Sequence, residues 1–242
     1  VLFVADDPGP ISSQTEQDTR RFASFAKVPV FDPADVEQGF AMMKAAFDLS
    51  ERYSTPVIVR PTTRVCHSST FLEVQNHTDA RPADGFVKDD SKWVIFPARA
   101  YRGHLEIQER LACIEEEFSG NSSSCSSEHE GLSLFNPAIE CGDAPRFGIV
   151  CGGVSTAYAL EALEFLSQRA ALPSYRFMQI GTPFPFPDKA ASAFLEGLER
   201  VIVFEELDHV IEDELVRLVG LHAMRGLSPT RVCGRRSGDA RA

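Results

Sequence analysis

Residues 29–60, PVFDPADVEQGFAMMKAAFDLSERYSTPVIVR, contain the pattern that decides the predicted fold. The run at 29–33 is short, apolar and closed by proline, which is typical of a buried strand. From Asp35 to about Tyr53 apolar residues recur at intervals of three and four, which predicts a helix with one buried face. The β-branched run at 56–60 predicts another strand. Strand, helix and strand at this spacing indicate a parallel pair joined by a crossover helix.

The segment before this unit adds one more strand and one more helix. Residues 2–5 form an apolar run, and the prolines and glycine of 6–10 end it. Ser13 and Glu16 have the spacing of a capping box, so a helix is predicted from there to about Lys27. The first third of the chain therefore alternates strand and helix.

The second half of the chain repeats this alternation. The pair Gly152-Gly153 predicts a tight turn into a helix N-capped by Ser155. Prolines between 181 and 187 keep the next connection extended, and Asp188 is predicted to cap the helix that follows. The expected strands are 147–151, 175–180 and 201–204, and the expected helices begin near 155, 188 and 208.

We therefore predict an α/β fold with two parallel-sheet αβα units joined by a long connector. Within the connector, residues 93–97 could form a strand and 104–117 have helical spacing. Residues 120–130 are rich in serine and lack apolar side chains, which predicts a solvent-exposed loop. The expected boundaries are 1–72 for the first unit, 73–144 for the connector, 145–224 for the second unit and 225–242 for a basic tail.

The composition excludes two classes of partner. The 242 residues include 24 Lys and Arg against 35 Asp and Glu, a formal charge of -11. Because such a surface repels phosphate backbones and anionic lipids, neither nucleic acid nor a membrane is an expected partner. The chain begins at Val1 without Met or a basic leader, and its tail closes no unit. We therefore expect truncation at both ends.

The cysteines give no metal-binding pattern. Six are scattered without a C-x-x-C pair, which argues against a zinc ribbon or an iron–sulfur cluster within these residues. The prediction is free thiols in a reducing, cytoplasmic environment. They are Cys66, Cys113, Cys125, Cys141, Cys151 and Cys233.

Polar residues crowd the loop after the first predicted strand, at the carboxyl end where open α/β sheets bind ligands. Helix capping and solvation account for about half of them, so a functional loop and a merely capped loop are equally favoured. The polar residues of this loop are Ser12, Ser13, Gln14, Glu16, Gln17, Asp18 and Arg20.

Three further groups have both a structural and a functional interpretation. Arg60, Arg64 and His67 could grip a carboxylate, but a structural polar cluster is favoured. Gly152-Gly153 could hold a phosphate, but a plain turn is favoured because no G-x-G-x-x-G or Walker motif is present. The acidic run from Glu205 resembles a catalytic group, but stabilisation of a helix dipole is favoured. No nucleophile elbow accompanies a Ser, His and Asp set, so hydrolase chemistry has no support.

Five stretches, in order, carry a family resemblance. They are ADDPG at 5–9, SSQTEQDTR at 12–20, LSE at 49–51, PVIVRPTTRVCH at 56–67 and FEELDHVIE at 204–212. Together they resemble the alpha subunit of indolepyruvate ferredoxin oxidoreductase, within the thiamine diphosphate-dependent 2-oxo acid:ferredoxin oxidoreductases. The family usually has His at the position of Ile11 and Asn at that of Thr15, which leaves the substrate preference open.

The resemblance implies an enzyme that oxidatively decarboxylates an aryl 2-oxo acid, typically indolepyruvate, with coenzyme A and passes electrons to ferredoxin. It implies thiamine diphosphate with Mg²⁺ and 4Fe-4S clusters in the full-length protein, none of them complete in this chain, and a partner beta subunit. The units 1–72 and 145–224 would be part of a pyrimidine-binding domain and a transketolase C-terminal-like domain. Catalytic and metal-binding residues remain unassigned. The residues near substrate or cofactor would be Ser12, Ser13, Gln14, Gln17 and Arg20.

Two alternatives remain open from the sequence. The chain could come from another 2-oxo acid:ferredoxin oxidoreductase with a different side-chain pocket. It could instead be a noncatalytic α/β interaction module that lacks cofactor binding. In the enzyme interpretation, the resemblance places the activating glutamate and the diphosphate and cluster motifs outside these residues, so the chain alone is expected to be inactive.

Overall fold

The first unit is a small parallel sheet with helices. The computed structural model describes residues 1–9, 14–73, 85–120 and 131–238. Three strands pair in parallel in the order β1-β3-β2, with Leu2 and Val30 both opposite Ile58. The elements of this unit are β1 (Leu2–Phe3), α1 (Arg20–Ala26), β2 (Val30–Phe31), α2 (Val36–Tyr53), β3 (Ile58–Val59) and α3 (Thr63–Cys66).

Helix α2 follows the prediction closely because its ends are chemically marked. Asp35 Oδ1 accepts a hydrogen bond from the Gln38 backbone N–H at 2.8 Å, which caps the first turn. Ser54 ends the helix in the left-handed conformation at φ 46°. Met42, Ala46 and Leu49 recur at intervals of four and three and are fully buried. The expected apolar face is only partly confirmed, because Phe40 and Phe47 are each more than half exposed. Helix α2 therefore covers one face of the first sheet.

Helix α1 begins later than the capping box predicts. The helix starts at Arg20, and Thr19 occupies the N-cap position without a side-chain cap. The Thr19 backbone N–H instead donates to Asp6 Oδ2 at 2.7 Å, across the end of β1. A tertiary hydrogen bond thus holds the segment before α1 in an irregular conformation, and the predicted helix start near Ser13 is wrong.

The described residues of the expected connector are mostly helical. The predicted strand at 93–97 is wrong: α4 (Asp90–Trp93) is capped by Asp89, and Pro97 begins α5 (Pro97–Phe118). The helix predicted at 104–117 is confirmed and is longer. Ile114 and Phe118 of α5 are fully buried in the core of the first unit. Leu132 and Phe135 of the 3-10 turn Leu132–Phe135 pack in the same core. The predicted serine-rich loop lies outside the described residues from 121 to 130.

The second unit is a five-stranded sheet in the order β4-β6-β5-β7-β8, in which only β4 is antiparallel. The fold-class prediction of two parallel-sheet α/β units is confirmed. Edge strands β4 and β8 are absent from the prediction, because each is short and only its neighbour in the sheet fixes it. The elements are β4 (Ala138–Cys141), β5 (Phe147–Gly152), α6 (Ser155–Ser167), β6 (Tyr175–Ile180), α7 (Asp188–Leu195), β7 (Arg200–Phe204), α8 (Val210–Met224) and β8 (Arg231–Cys233).

The two faces of the second sheet are unequally covered. Helices α7 and α8 bury Phe194, Ile211 and Leu215 with the sheet in the larger core. Helix α6 covers the other face thinly, and Tyr158 and Phe165 on it are each about half exposed. The predicted N-caps Ser155 and Asp188 are the first helical residues instead, one position beyond the caps.

Backbone hydrogen bonds join the two units. The Asp32 N–H donates to the Gly181 carbonyl at 2.8 Å, and Val30 forms an antiparallel bridge with Phe184. The buried Asn136 side chain accepts from the Gly181 and Thr182 N–H groups and donates to the Phe118 carbonyl. Specific hydrogen bonds therefore hold the two units together at this junction.

Two predictions concern the chain as a whole. Among the described residues, no helix has the length and apolar character to cross a membrane. In the part of the chain that the structure describes, Cys66, Cys141, Cys151 and Cys233 form no disulfide, as predicted. Cys113 on α5 is in a disulfide, so the prediction of a free thiol is wrong at this position.

Candidate functional site

The carboxyl ends of strands from both sheets meet at one place. Asp6 follows β1, Asp32 follows β2 and Arg60 follows β3, while Glu205 follows β7. These side chains are almost completely buried, so each needs a partner within the protein. We define the junction network as Asp6, Asp18, Arg20, Asp32, Arg60 and Glu205.

Arg60 lies at the first-unit side of the junction network. Its Nε donates to Asp6 Oδ2 at 2.6 Å and its Nη1 donates to Asp32 Oδ1 at 3.1 Å. Its Nη2 lies 3.6 Å from Asp18 Oδ1, close enough for an ion pair. Asp6 also accepts hydrogen bonds from the Thr19 N–H and hydroxyl, so it ties the loop before α1 to β3.

Arg20 connects the two units. Its Nε donates to Asp18 Oδ1 at 2.9 Å, and its Nη1 donates to Glu205 Oε2 at 2.8 Å. Its Nη2 donates to the backbone carbonyls of Glu206 at 2.6 Å and Asp208 at 3.0 Å. Each of the three guanidinium nitrogens therefore donates to at least one protein acceptor. The prediction that Arg20 lies near a substrate is untested, but these contacts make it a structural group rather than a free cation.

Glu205 shares its carboxylate between Arg20 and the start of α8. Its Oε2 accepts from the Val210 and Ile211 N–H groups, and its Oε1 accepts from the Glu212 N–H at 3.0 Å. These N–H groups form the positive end of the helix dipole. The favoured interpretation of this acidic run, stabilisation of a helix start, is supported for Glu205.

Burial and nearby charges shift the pKa values of the carboxyl groups of the junction network in opposite directions. Burial raises the pKa of Asp32 and of Glu205 above their ordinary values, and the nearby arginines only partly offset it. Burial also acts on Asp18, but the hydrogen bonds and charge of Arg20 hold the pKa of Asp18 below its ordinary value. Asp32 Oδ2 is buried without a hydrogen-bond partner. Asp32 is therefore the carboxyl group in this network with the fewest compensating contacts.

An open cleft of about 680 Å³ borders the network and lies between the two units. Arg64 Nη1 donates to Glu206 Oε1 at 2.7 Å, and the Arg64 guanidinium lies 5.8 Å from the Tyr158 ring centre. Burial raises the pKa of Glu206, whose Oε2 has no hydrogen-bond partner. Arg235 from the tail also lines this cleft. A cleft with an apolar wall and a few charged side chains of both signs can bind a small molecule.

The structure separates the residues that the sequence grouped. Gln14 is exposed, whereas the Gln17 side chain donates to Asp6 Oδ1 at 3.1 Å. Arg60 is buried, while Arg64 and His67 are exposed, so the three do not form one cluster. Ser12 and Ser13 lie outside the described residues.

Sequence analysis missed Asp6 and Asp32 as site residues. Each directly follows a short apolar run, and a charged residue at the carboxyl end of a parallel strand is the signal that could have found it. Gly153, in the turn between β5 and α6, lies beside Asp32 of the junction network. A Cβ atom at Gly153, where φ is +51°, would lie 2.9 Å from Asp32 Oδ1. The Asp32 carboxylate therefore occupies the space where a phosphate bound at this turn would lie.

Comparison with known proteins supports the resemblance. No protein-family model matches the sequence. The chain is 37% identical over 220 residues to "Indolepyruvate oxidoreductase subunit IorA" of Thermococcus kodakarensis, which covers 89% of this chain and 31% of that protein. The protein of the same name from Methanothermobacter thermautotrophicus is 34% identical over 91% of this chain and 33% of its own length. The chain thus spans about a third of these curated relatives.

A solved structure shares the fold. The 2-oxoglutarate:ferredoxin oxidoreductase from Magnetococcus marinus, solved with 2-oxoglutarate, coenzyme A and succinyl-CoA bound, superposes with a TM-score of 0.58. It matches 96% of this chain and 44% of its own chain at 14% sequence identity. At this identity the likeness establishes the α/β fold alone. The sequence relatives independently confirm the resemblance predicted from the five stretches.

Proposed function

We infer from this confirmed likeness to the IorA subunits of indolepyruvate oxidoreductase that the chain forms two α/β domains of the alpha subunit of a 2-oxo acid:ferredoxin oxidoreductase. The observation that carries the inference is 37% identity over 220 residues to a protein of that name. The reaction we assign to the whole protein is oxidative decarboxylation of an aryl 2-oxo acid with coenzyme A. Its products are an acyl-CoA, carbon dioxide and reduced ferredoxin, and we propose that it takes place in the cytoplasm with a beta subunit.

The domain assignment follows the two sheets. The first unit corresponds in this proposal to part of a pyrimidine-binding domain, and the second to a transketolase C-terminal-like domain. The carboxyl ends of both sheets border the cleft at the junction, which is the edge where parallel sheets bind ligands. The exposed Gln14 and Glu16 lie on the loop that enters this edge, so we assign this loop to the surroundings of the substrate.

Thiamine diphosphate with Mg²⁺ and 4Fe-4S clusters are the cofactors that the proposal requires. In residues 1–9, 14–73, 85–120 and 131–238, no three His, Cys, Asp or Glu side chains are grouped to hold a metal ion. The carboxylates of Asp6 and Glu205 accept hydrogen bonds from backbone N–H groups and so are not free to bind a metal ion. These residues do not fit Mg²⁺ or a cluster, and we assign no step of the reaction through them. What they do is fix the loop and the cleft.

The experiment that tests the function uses the complete alpha subunit purified anaerobically with its beta subunit. Ferredoxin reduction and acyl-CoA formation are measured with indolepyruvate, 2-oxoglutarate and pyruvate in parallel. Preference for indolepyruvate supports the proposal, and preference for an aliphatic oxo acid replaces it with the other 2-oxo acid class. Gln14→Ala is expected to raise the KM for the preferred oxo acid, whereas Asp48→Ala, an exposed change on α2, is expected to leave it unchanged.

One observation favours the noncatalytic module as a second candidate. An apolar groove of about 440 Å³ runs beside α6, lined by residues such as Ile149, Leu163 and Phe204. Such a surface suits packing against another protein segment. If the purified alpha and beta subunits, with cofactors bound, oxidise none of the three acids, the noncatalytic interaction module becomes the better-supported function.

A further inference from the structure

The segment from Gln17 to Arg20 is held from both units at once. On one side Asp6 Oδ2 accepts from the Thr19 N–H at 2.7 Å, and Asp6 Oδ1 accepts from the Gln17 amide at 3.1 Å. On the other side Arg20 donates to Glu205, which lies 185 residues further along the chain. The exposed loop residues begin directly before this segment.

The second-unit contact is concentrated on one short turn. Arg20 reaches the Glu205 carboxylate and the carbonyls of Glu206 and Asp208, and Asp18 Oδ2 accepts from the Asp208 N–H at 3.4 Å. Each side chain of the Arg20–Glu205 pair is at most 2% exposed. An ion pair so little screened by water depends strongly on both partners. The turn before α8 therefore holds the loop from the second unit, as Asp6 holds it from the first.

We propose that Glu205 is a positioning residue for the substrate loop: through Arg20 it fixes residues 14–19 of the first unit against the helix α8 of the second. The role in substrate binding rests on the proposed function, whereas the positional coupling does not. Glu205 touches no ligand in this proposal. It acts because one carboxylate caps α8 and binds Arg20 together, so the loop and the helix start share one anchor.

Hydrogen exchange on this 242-residue chain tests the coupling. Glu205→Gln keeps the size of the side chain but removes its charge. The matched control is Glu214→Gln, a partly exposed change on the same helix, where the carboxylate accepts from Arg217 Nε and does not contact Arg20. We expect amide exchange in residues 14–19 to accelerate at least about 10-fold in Glu205→Gln and to remain unchanged in Glu214→Gln. Faster exchange at the start of α8 alone, with wild-type rates in 14–19, would overturn the proposal.

A second variant, on the other partner of the ion pair, keeps the test decisive if Glu205→Gln fails to fold. Arg20→Lys keeps the charge but loses the fork that spans Asp18, Glu205 and the turn. It is expected to accelerate exchange in the same residues, and the double variant with Glu205→Gln is expected to be no worse than either alone. Additive effects would show that the two side chains act separately and would contradict the proposal.

Kinetics of the complete subunit pair separate positioning from general damage. In Glu205→Gln the KM for the 2-oxo acid is expected to rise about 10-fold, while the KM for coenzyme A stays unchanged. A destabilised enzyme would instead lose kcat at unchanged KM values, and that result would count against positioning. If the wild-type pair oxidises no 2-oxo acid, the proposed function fails while the exchange experiment still decides the coupling.

Discussion

Arg60 Nε lies 2.6 Å from Asp6 Oδ2, and both side chains are shielded from water. The two residues follow β3 and β1, neighbouring parallel strands, so the pair closes the carboxyl end of the first sheet. Asp6 in turn holds the Thr19 N–H and hydroxyl. Through Thr19, the Asp6–Arg60 pair therefore holds the loop and Arg20 in position.

Removing Asp6 should be strongly destabilising. Asp6→Ala leaves the buried Arg60 guanidinium without its shortest partner, and breaking a buried pair costs about 3–5 kcal/mol of unfolding free energy. Urea denaturation of this chain measures the loss. Asp48→Ala, on the exposed face of α2, is the control and should change the free energy by less than about 0.5 kcal/mol. Equal effects of the two changes would show that the pair does not stabilise the fold.

Asp32→Asn should behave oppositely to Asp6→Ala. Burial raises the pKa of Asp32, and its Oδ2 has no partner, so the ionised form is disfavoured in the folded state. A raised folded pKa means that stability increases as pH falls through that value. Asparagine imitates the protonated form. We expect Asp32→Asn to equal or exceed the wild type at pH 7 by up to about 1 kcal/mol, with the gap closing towards acid. A loss above about 2 kcal/mol would contradict this account.

Asp18 should give acid sensitivity of the opposite sign. Despite burial, Arg20 holds the pKa of Asp18 below its ordinary value. A lowered folded pKa contributes stability above the unfolded value of about 3.9, and this contribution is lost as pH falls through the folded pKa. Unfolding free energies of wild type and Asp18→Asn should therefore differ most near pH 7 and converge as pH falls through the lowered folded pKa of Asp18. A constant difference across this range would be inconsistent with the shift.

Two glycine substitutions should have effects of opposite sign. Gly153→Ala places a Cβ atom 2.9 Å from Asp32 Oδ1 at a φ of +51°, so it should lower the free energy of unfolding by about 1–3 kcal/mol. Gly220 lies inside α8 with open space around a Cβ atom. Gly220→Ala should raise stability by up to about 1 kcal/mol, because alanine favours helix. Thermal and urea unfolding of the two variants would check both signs.

Thiol labelling should distinguish the free cysteines by burial. Cys151 on β5 is fully buried, and burial raises the pKa of this thiol to about 12. Because the thiolate is the reactive form, iodoacetamide should not modify Cys151 in the folded chain but should do so in urea. Cys66 is exposed and should be labelled first. Early labelling of Cys151, measured by peptide mass spectrometry, would show that β5 opens easily.

The sequence determined the periodic elements and the fold class. Helix α2 and the strands around it follow from local information, because apolar spacing and the Asp35 cap are encoded within one short segment. The strand predicted at 175–180 is observed as β6 at the same residues. The family likeness was also readable, since it rests on the residues themselves.

Tertiary structure alone decided how the site is built. The start of α1 moved to Arg20 because Asp6, on another element, captured the Thr19 N–H. Strands β4 and β8 exist through pairing with β6 and β7, which no local pattern encodes. The sequence placed Arg20 in the polar loop, but its bond to Glu205 across 185 residues could not be read from it. Charged pairs between distant segments depend on burial and distance, and these arise only when the two sheets are brought together.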